Sequence, residues 1–146
     1  MPLGRASGEI DAPVGEVWSG LTDFANPQRL APAIASGSAT GEGVGAVRVV
    51  QSARGLLIQE RLLECDAEVG RFRYEVLDIG DMPLAGITRY ECTVTLQSLP
   101  GDRTAIEWSS SGSADRAIGP ITEFLDALYA RAKDSIQAAI GRGAAN

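Results

Sequence analysis

The stretch Ile87-Thr88-Arg89-Tyr90-Glu91-Cys92-Thr93-Val94-Thr95-Leu96-Gln97-Ser98 alternates residue by residue. Tyr90, Cys92, Val94 and Leu96 fall on one side, with Glu91, Thr93, Thr95 and Gln97 on the other. Successive strand side chains point to opposite faces, so this segment reads as a strand with one dry and one wet face. Pro100-Gly101-Asp102 turns the chain into a second such segment, Arg103 through Gly112, with Ile106 and Trp108 at even positions and Glu107 and Ser109 at odd ones. Arg71 to Ile79 keeps the same parity, with Phe72, Tyr74 and Val76 dry and Arg73 and Glu75 wet. Pairing around residue 100 sets Val94 opposite Ile106 and Cys92 opposite Trp108.

Upstream, Val44 to Gln51 and Leu56 to Asp66 flank the turn Ala53-Arg54-Gly55. Symmetric pairing about Arg54 sets Val50 opposite Ile58 and Arg48 opposite Glu60, close enough for their side chains to interact. Both charges then fall on the inner face, where the pattern asks for apolar residues. A buried ion survives only if it is paired, because its desolvation costs several kcal/mol. Two readings stay open: an ion pair that closes one end of the sheet, and polar groups lining a ligand cavity.

The ends of the chain supply the remaining elements. Leu3 to Ile10 is a short strand, and Asp11-Ala12-Pro13 starts a helix with Asp11 as cap. Val14, Val17, Trp18 and Leu21 follow at the spacing of one helical face. A second helical turn is expected through Asn26-Pro27-Gln28-Arg29-Leu30. Ile118 to Ile140 reads as a long amphipathic helix whose apolar side carries Ile121, Leu125, Leu128, Ala132, Ile136 and Ala139. One strand, two short helices, a meander and a long helix make an α+β fold in which the helix buries its apolar side on the dry face. Small residues (Cys92, Ser110, Ala132) beside Tyr74, Tyr90 and Trp108 suit a lined chamber beneath that helix.

Composition narrows the chemistry. The 146 residues, 45% hydrophobic and 22% charged, suit one ordinary domain spanning residues 1–146. A net charge of -6 disfavours nucleic acid as a partner. With no histidine, Ser-His-Asp systems and His-containing metal sites are excluded, and two cysteines are too few for a four-thiolate site. No metal or cofactor is expected. No run approaches the roughly 20 apolar residues of a membrane span, and the start Met1-Pro2-Leu3-Gly4-Arg5 lacks the apolar run of a secretory signal. A cytoplasmic protein with two reduced thiols is the expectation.

These pieces together resemble the START-like SRPBCC superfamily with its helix-grip fold, in particular the polyketide cyclase/dehydrase-like branch. The resemblance rests on Ile10-Asp11-Ala12-Pro13 with Val17-Trp18, Asp23-Phe24 and Gly43-Val44-Gly45-Ala46-Val47-Arg48. It continues through Glu60-Arg61-Leu62-Leu63 with Asp66, Tyr74, Thr104 to Trp108, and the long final helix. It implies a seven-stranded antiparallel sheet gripping that helix around a cavity for a hydrophobic ligand. Glu60, Tyr74, Tyr90, Cys92 and Trp108 match cavity-lining positions of the related plant hormone receptors, whose anchoring lysine corresponds to Ala31 here.

Three functional readings follow. The first is binding or transport of a small hydrophobic or aromatic ligand of lipid or polyketide type. Arg48, Glu60, Tyr74, Tyr90, Cys92, Trp108, Leu125, Leu128 and Ala132 would line its site. The second is a cofactor-independent cyclase or dehydratase, with Glu60 or Asp23 as base and Arg48, Tyr74 or Tyr90 as donors to a developing enolate oxygen. An arginine beside Glu60 stabilises the carboxylate and weakens it as a base, which favours binding. The third is a homodimerising module. Val47, Val49, Leu57 and Leu63 are apolar on what should be the outer face, covered by the N-terminal strand and short helices or used as a dimer contact.

Overall fold

The computed structural model describes residues 2–24, 34–52, 57–78, 87–114 and 119–140. In chain order these form β1 (Pro2–Ile10), α1 (Val14–Leu21), β2 (Ile34–Thr40), β3 (Val47–Ser52), β4 (Leu57–Asp66), β5 (Arg71–Asp78), β6 (Ile87–Leu99), β7 (Arg103–Ala114) and α2 (Gly119–Ile140). The strands make one seven-stranded antiparallel sheet in the order β1-β7-β6-β5-β4-β3-β2. This is the α+β, helix-grip arrangement that the sequence anticipates. The second helical turn expected at 26–30, and Ala31, lie outside the described residues.

Parity along the strands holds. Phe72, Tyr74, Tyr90, Cys92, Val94, Leu96 and Ile106 are all buried. The opposite face carries ion pairs, Arg61–Glu75, Arg71–Glu64 and Arg73–Glu91 among them. The β6–β7 register differs from the expected one by two residues. Leu99 pairs with Arg103, so Val94 faces Trp108, Leu96 faces Ile106 and Cys92 faces Ser110. The turn centres on Gly101 because Gly101 and Asp102 both take positive φ, 79° and 55°, a backbone that glycine and aspartate tolerate better than most residues. A two-residue slip preserves facing, which is why the dry face survives it.

α1 also starts differently. Pro13, not Asp11, occupies the N-cap position, and its carbonyl accepts from the Glu16 and Val17 amides without a side-chain cap. The Asp11 amide instead donates to Gln137 Oε1 of α2 at 2.7 Å, and Thr104 Oγ1 donates to the Ala12 carbonyl at 2.8 Å. Both bonds fix the corner between β1 and α1. Val17 and Leu21 of α1 are buried, with Val14 and Trp18 packed half-buried against the same core.

α2 lies chiefly over β1, and the sequence of that strand explains why. Gly4, Ala6 and Gly8 occupy its even positions. A Cβ at Gly4 would stand 2.5 Å from Leu125 Cβ, so only glycine admits the helix at this distance. Asp126 Oδ1 accepts the Arg5 backbone amide at 2.7 Å, occupying a donor of the edge strand. The resulting buried stripe on α2 is Ile121, Leu125, Tyr129 and Ile136. Leu128 and Ala132, expected on that stripe, are half-buried, and Ala139 is exposed. β1 lies on the far edge beside β7, away from Val47, Val49, Leu57 and Leu63 on β3 and β4, of which Val47, Val49 and Leu63 are half-buried. Leu57 is 54% exposed. Neither described helix is long and apolar enough to cross a membrane.

Candidate functional site

β3 and β4 pair in the register that the symmetric hairpin predicts, Arg48 opposite Glu60. Both are buried, and Arg48 Nε donates to Glu60 Oε1 at 2.6 Å. Nη1 of Arg48 reaches the Phe24 carbonyl at 3.4 Å. The guanidinium also lies 4.4 Å from the Phe24 ring centroid and 5.2 Å from that of Tyr74, within cation–π range. Phe72 packs beside both aromatics, with centroids 6.3 Å from Phe24 and 5.7 Å from Tyr74. The cation is thus held by a carboxylate, a carbonyl and two rings.

From Tyr74 the polar groups continue across the dry face. Tyr74 faces Cys92 on β6, and Cys92 faces Ser110 on β7. Arg48, Glu60, Tyr74, Cys92 and Ser110 therefore form a polar seam over five strands. α2 completes it with a residue that the sequence reading did not select. The Tyr129 hydroxyl contacts the Tyr90 hydroxyl and lies 3.7 Å from Cys92 Sγ. Its ring stacks on Trp108 at 6.1 Å with planes 13° apart. Two signals pointed to Tyr129: it stands four residues after Leu125, and β1 offers small residues at the same level.

Burial sets the protonation of this cluster. It pushes the Tyr74, Tyr90 and Tyr129 hydroxyls well above the ordinary 10.0, each reinforced by the neighbouring Cys92. The Cys92 thiol rises from 9.0 to about 12, again chiefly through burial. At neutral pH all four are uncharged hydrogen-bond donors. Two further polar atoms, Trp108 Nε1 and Ser110 Oγ, are buried with no hydrogen-bond partner. Ser110 Oγ is near enough to favour ionisation of Tyr129, but not in hydrogen-bonding geometry.

The structure thus gathers Arg48, Glu60, Tyr74, Tyr90, Cys92, Trp108 and Leu125 on one inner surface. Beneath α2 the Tyr129 side chain meets Tyr90, Cys92 and the Trp108 ring, and Gly4 lets the helix come close. What stays partly accessible is the flank: Val76, Trp108 and Leu128 pack on the core yet remain half-buried, as does Ala132. Two open depressions lie elsewhere. One is on the wet face between Leu63, Glu64, Arg71, Arg73 and Thr93, and the other is between α1 and the end of α2. Neither includes a predicted ligand residue. Asp23, the alternative base, is half-buried after α1. Among the described residues, no three Cys, Asp or Glu side chains converge as a metal site would require.

No curated protein sequence matches this chain significantly. Solved structures do. A protein from Nitrosospira multiformis superposes with a TM-score of 0.80 at 24% identity, over 95% of this chain and 96% of that one. XoxI from Bacillus cereus gives 0.80 at 21% identity, over 93% of each chain. Norcoclaurine synthase from Thalictrum flavum gives 0.71 at 20% identity, over 91% of this chain and 82% of that one. At such identities the likeness concerns the fold alone, and it is the helix-grip fold. The model of one family, described as polyketide cyclase/dehydrase and lipid transport, matches residues 1–145, and the chain belongs to that family.

Proposed function

We propose that this chain binds a small hydrophobic or aromatic molecule, of lipid or polyketide type, against the inner face of its sheet beside α2. Arg48, Glu60, Tyr74, Tyr90, Cys92, Trp108, Leu125, Leu128 and Ala132, together with Tyr129 and Ser110, form the wall. The observation that carries this reading is the flank of that wall. Trp108, Val76 and Leu128 are apolar and face the core, yet they stay partly accessible beside buried donors. Apolar surface with a few convergent polar groups is what ligand sites are made of. Family membership supports a hydrophobic ligand at the same coarse level.

Catalysis is the weaker reading. Glu60 Oε1 already accepts from Arg48 Nε, and the tyrosine and cysteine side chains of the seam hold their protons at neutral pH. Donors for a carbonyl are plentiful there, whereas a free base is what proton abstraction needs.

The test is saturable binding of the uncharged probe N-phenyl-1-naphthylamine by the full chain, with mass spectrometry of molecules that co-purify. One equivalent of probe is expected, and Leu128→Arg should weaken it at least tenfold. Absence of saturable binding, together with no co-purified molecule, overturns the proposal.

A further inference from the structure

We infer that the ligand is an uncharged aromatic ketone or quinone, its carbonyl oxygen accepting hydrogen bonds from Trp108 Nε1 and Ser110 Oγ. This rests on the reading of the inner face as a ligand site, and adds the chemical class.

The argument is one of unfinished hydrogen bonding. Buried polar groups in folded proteins are nearly always paired, and an exception calls for a cause. Trp108 Nε1 has a proton to give and no lone pair to offer, so only an acceptor completes it. Ser110, two residues along the same strand and only 5% exposed, is the second unpartnered group. Residues at i and i+2 of a strand share a face and stand roughly 7 Å apart. Around them the supply of protons exceeds demand. Tyr90, Tyr129, Cys92, Ser110 and Trp108 carry one donor proton each, and those of Trp108 and Ser110 find no acceptor. An acceptor is the complementary group.

Charge separates a carbonyl from a carboxylate. Among the described residues, the buried charged side chains of the inner face are Arg48 and Glu60, which neutralise each other. A carboxylate brought to Trp108 would meet donors but no uncompensated cation, and would carry its full desolvation cost. A ketone or quinone carbonyl accepts the same bonds without that cost, and its ring extends along the Trp108 and Leu128 flank.

Three matched probes decide the matter: 2-acetylnaphthalene, 2-ethylnaphthalene and 2-naphthoate, titrated calorimetrically into the full chain at pH 7.5. The ketone should bind about tenfold more tightly than the hydrocarbon, the advantage that one or two net hydrogen bonds confer. The carboxylate should bind at least tenfold more weakly than the ketone. In Ser110→Ala and in Trp108→Phe, which keeps a ring against Tyr129, the ketone's advantage should shrink below about threefold. Equal binding of ketone and hydrocarbon, tightest binding of naphthoate, or an undiminished advantage in both variants overturns the inference. If N-phenyl-1-naphthylamine still saturates the chain, the class assignment fails alone. If it and all three probes fail to bind, the ligand site falls with it.

Discussion

Two polar clusters sit on the same dry face and differ in one respect. The Arg48–Glu60 cluster is closed: cation meets anion at 2.6 Å, and the rest of the guanidinium is taken by Phe24 and Tyr74. The cluster around Tyr129 is open, with neutral hydroxyls, a thiol and an indole N–H of which two members lack partners. Polarity in an apolar wall is therefore not in itself a mark of a binding site. A satisfied pair needs nothing further and can serve the fold, whereas an unsatisfied donor gains from whatever docks beside it.

The largest effect should come from breaking the closed cluster. Arg48→Met leaves Glu60 buried without its cation and should cost about 3–5 kcal/mol in urea unfolding. Replacing both, Arg48→Met with Glu60→Leu, should recover most of that loss, since an apolar pair has no charge to desolvate. Ser110→Ala, in the open cluster, should change stability by less than about 1 kcal/mol or even raise it, because the hydroxyl it removes has no partner to lose. A cost below about 1 kcal/mol for Arg48→Met would show the pair to be as dispensable as Ser110 and erase the contrast.

The two clusters were unequally legible in the sequence, for reasons of geometry. Arg48 and Glu60 lie symmetrically about a short turn, and the register of such a hairpin follows from counting. The open cluster depends on two relations that counting does not fix. One is the Gly101–Asp102 turn, whose positive φ values move the β6–β7 pairing by two residues and bring Ser110, not Trp108, opposite Cys92. The other is the rotation of α2 about its axis. The helix has apolar residues through more than one face, so Leu128 and Ala132 looked as suitable as Tyr129. What decides is the small-residue row Gly4, Ala6 and Gly8 on β1, which lies at the other end of the sequence and meets α2 only once β1 pairs with β7. The fold was legible because it rests on alternation, which tolerates both errors.

That dependence on β1 gives an intermediate test. Gly4→Ala places a methyl where Leu125 Cβ would be 2.5 Å away, so the helix must shift. We expect a loss of about 1–3 kcal/mol, typical of an overpacked contact, with changed near-ultraviolet dichroism from Trp108 and Tyr129. At Gly8 the same change meets only the end of the Lys133 side chain, which can swing aside. Gly8→Ala should therefore be neutral within about 0.5 kcal/mol. If both variants behave alike, the close approach at Gly4 does not set the position of Tyr129.

The smallest effect is nil at neutral pH and grows only in alkali. Cys92 titrates near 12 when folded, above its ordinary 9.0, and burial moves Tyr74, Tyr90 and Tyr129 upward as well. A group whose pKa is raised by folding holds its proton more tightly in the folded chain. Its contribution is whole below the unfolded value and is lost as pH rises through the folded one. For Cys92 that window runs from about 9 to about 12. The melting temperature should accordingly be level from pH 7 to about 8.5 and then fall, less steeply in Cys92→Ala. Thiol labelling at pH 8 reads the same burial without unfolding the chain. Cys65 is exposed and should react, slowed because partial burial and the charge of Asp66 raise its pKa. Cys92 should react only after denaturation. Two reactive thiols in the native protein would mean that solvent already reaches the hydroxyl cluster. Its unpartnered donors would then be hydrated rather than waiting for a ligand.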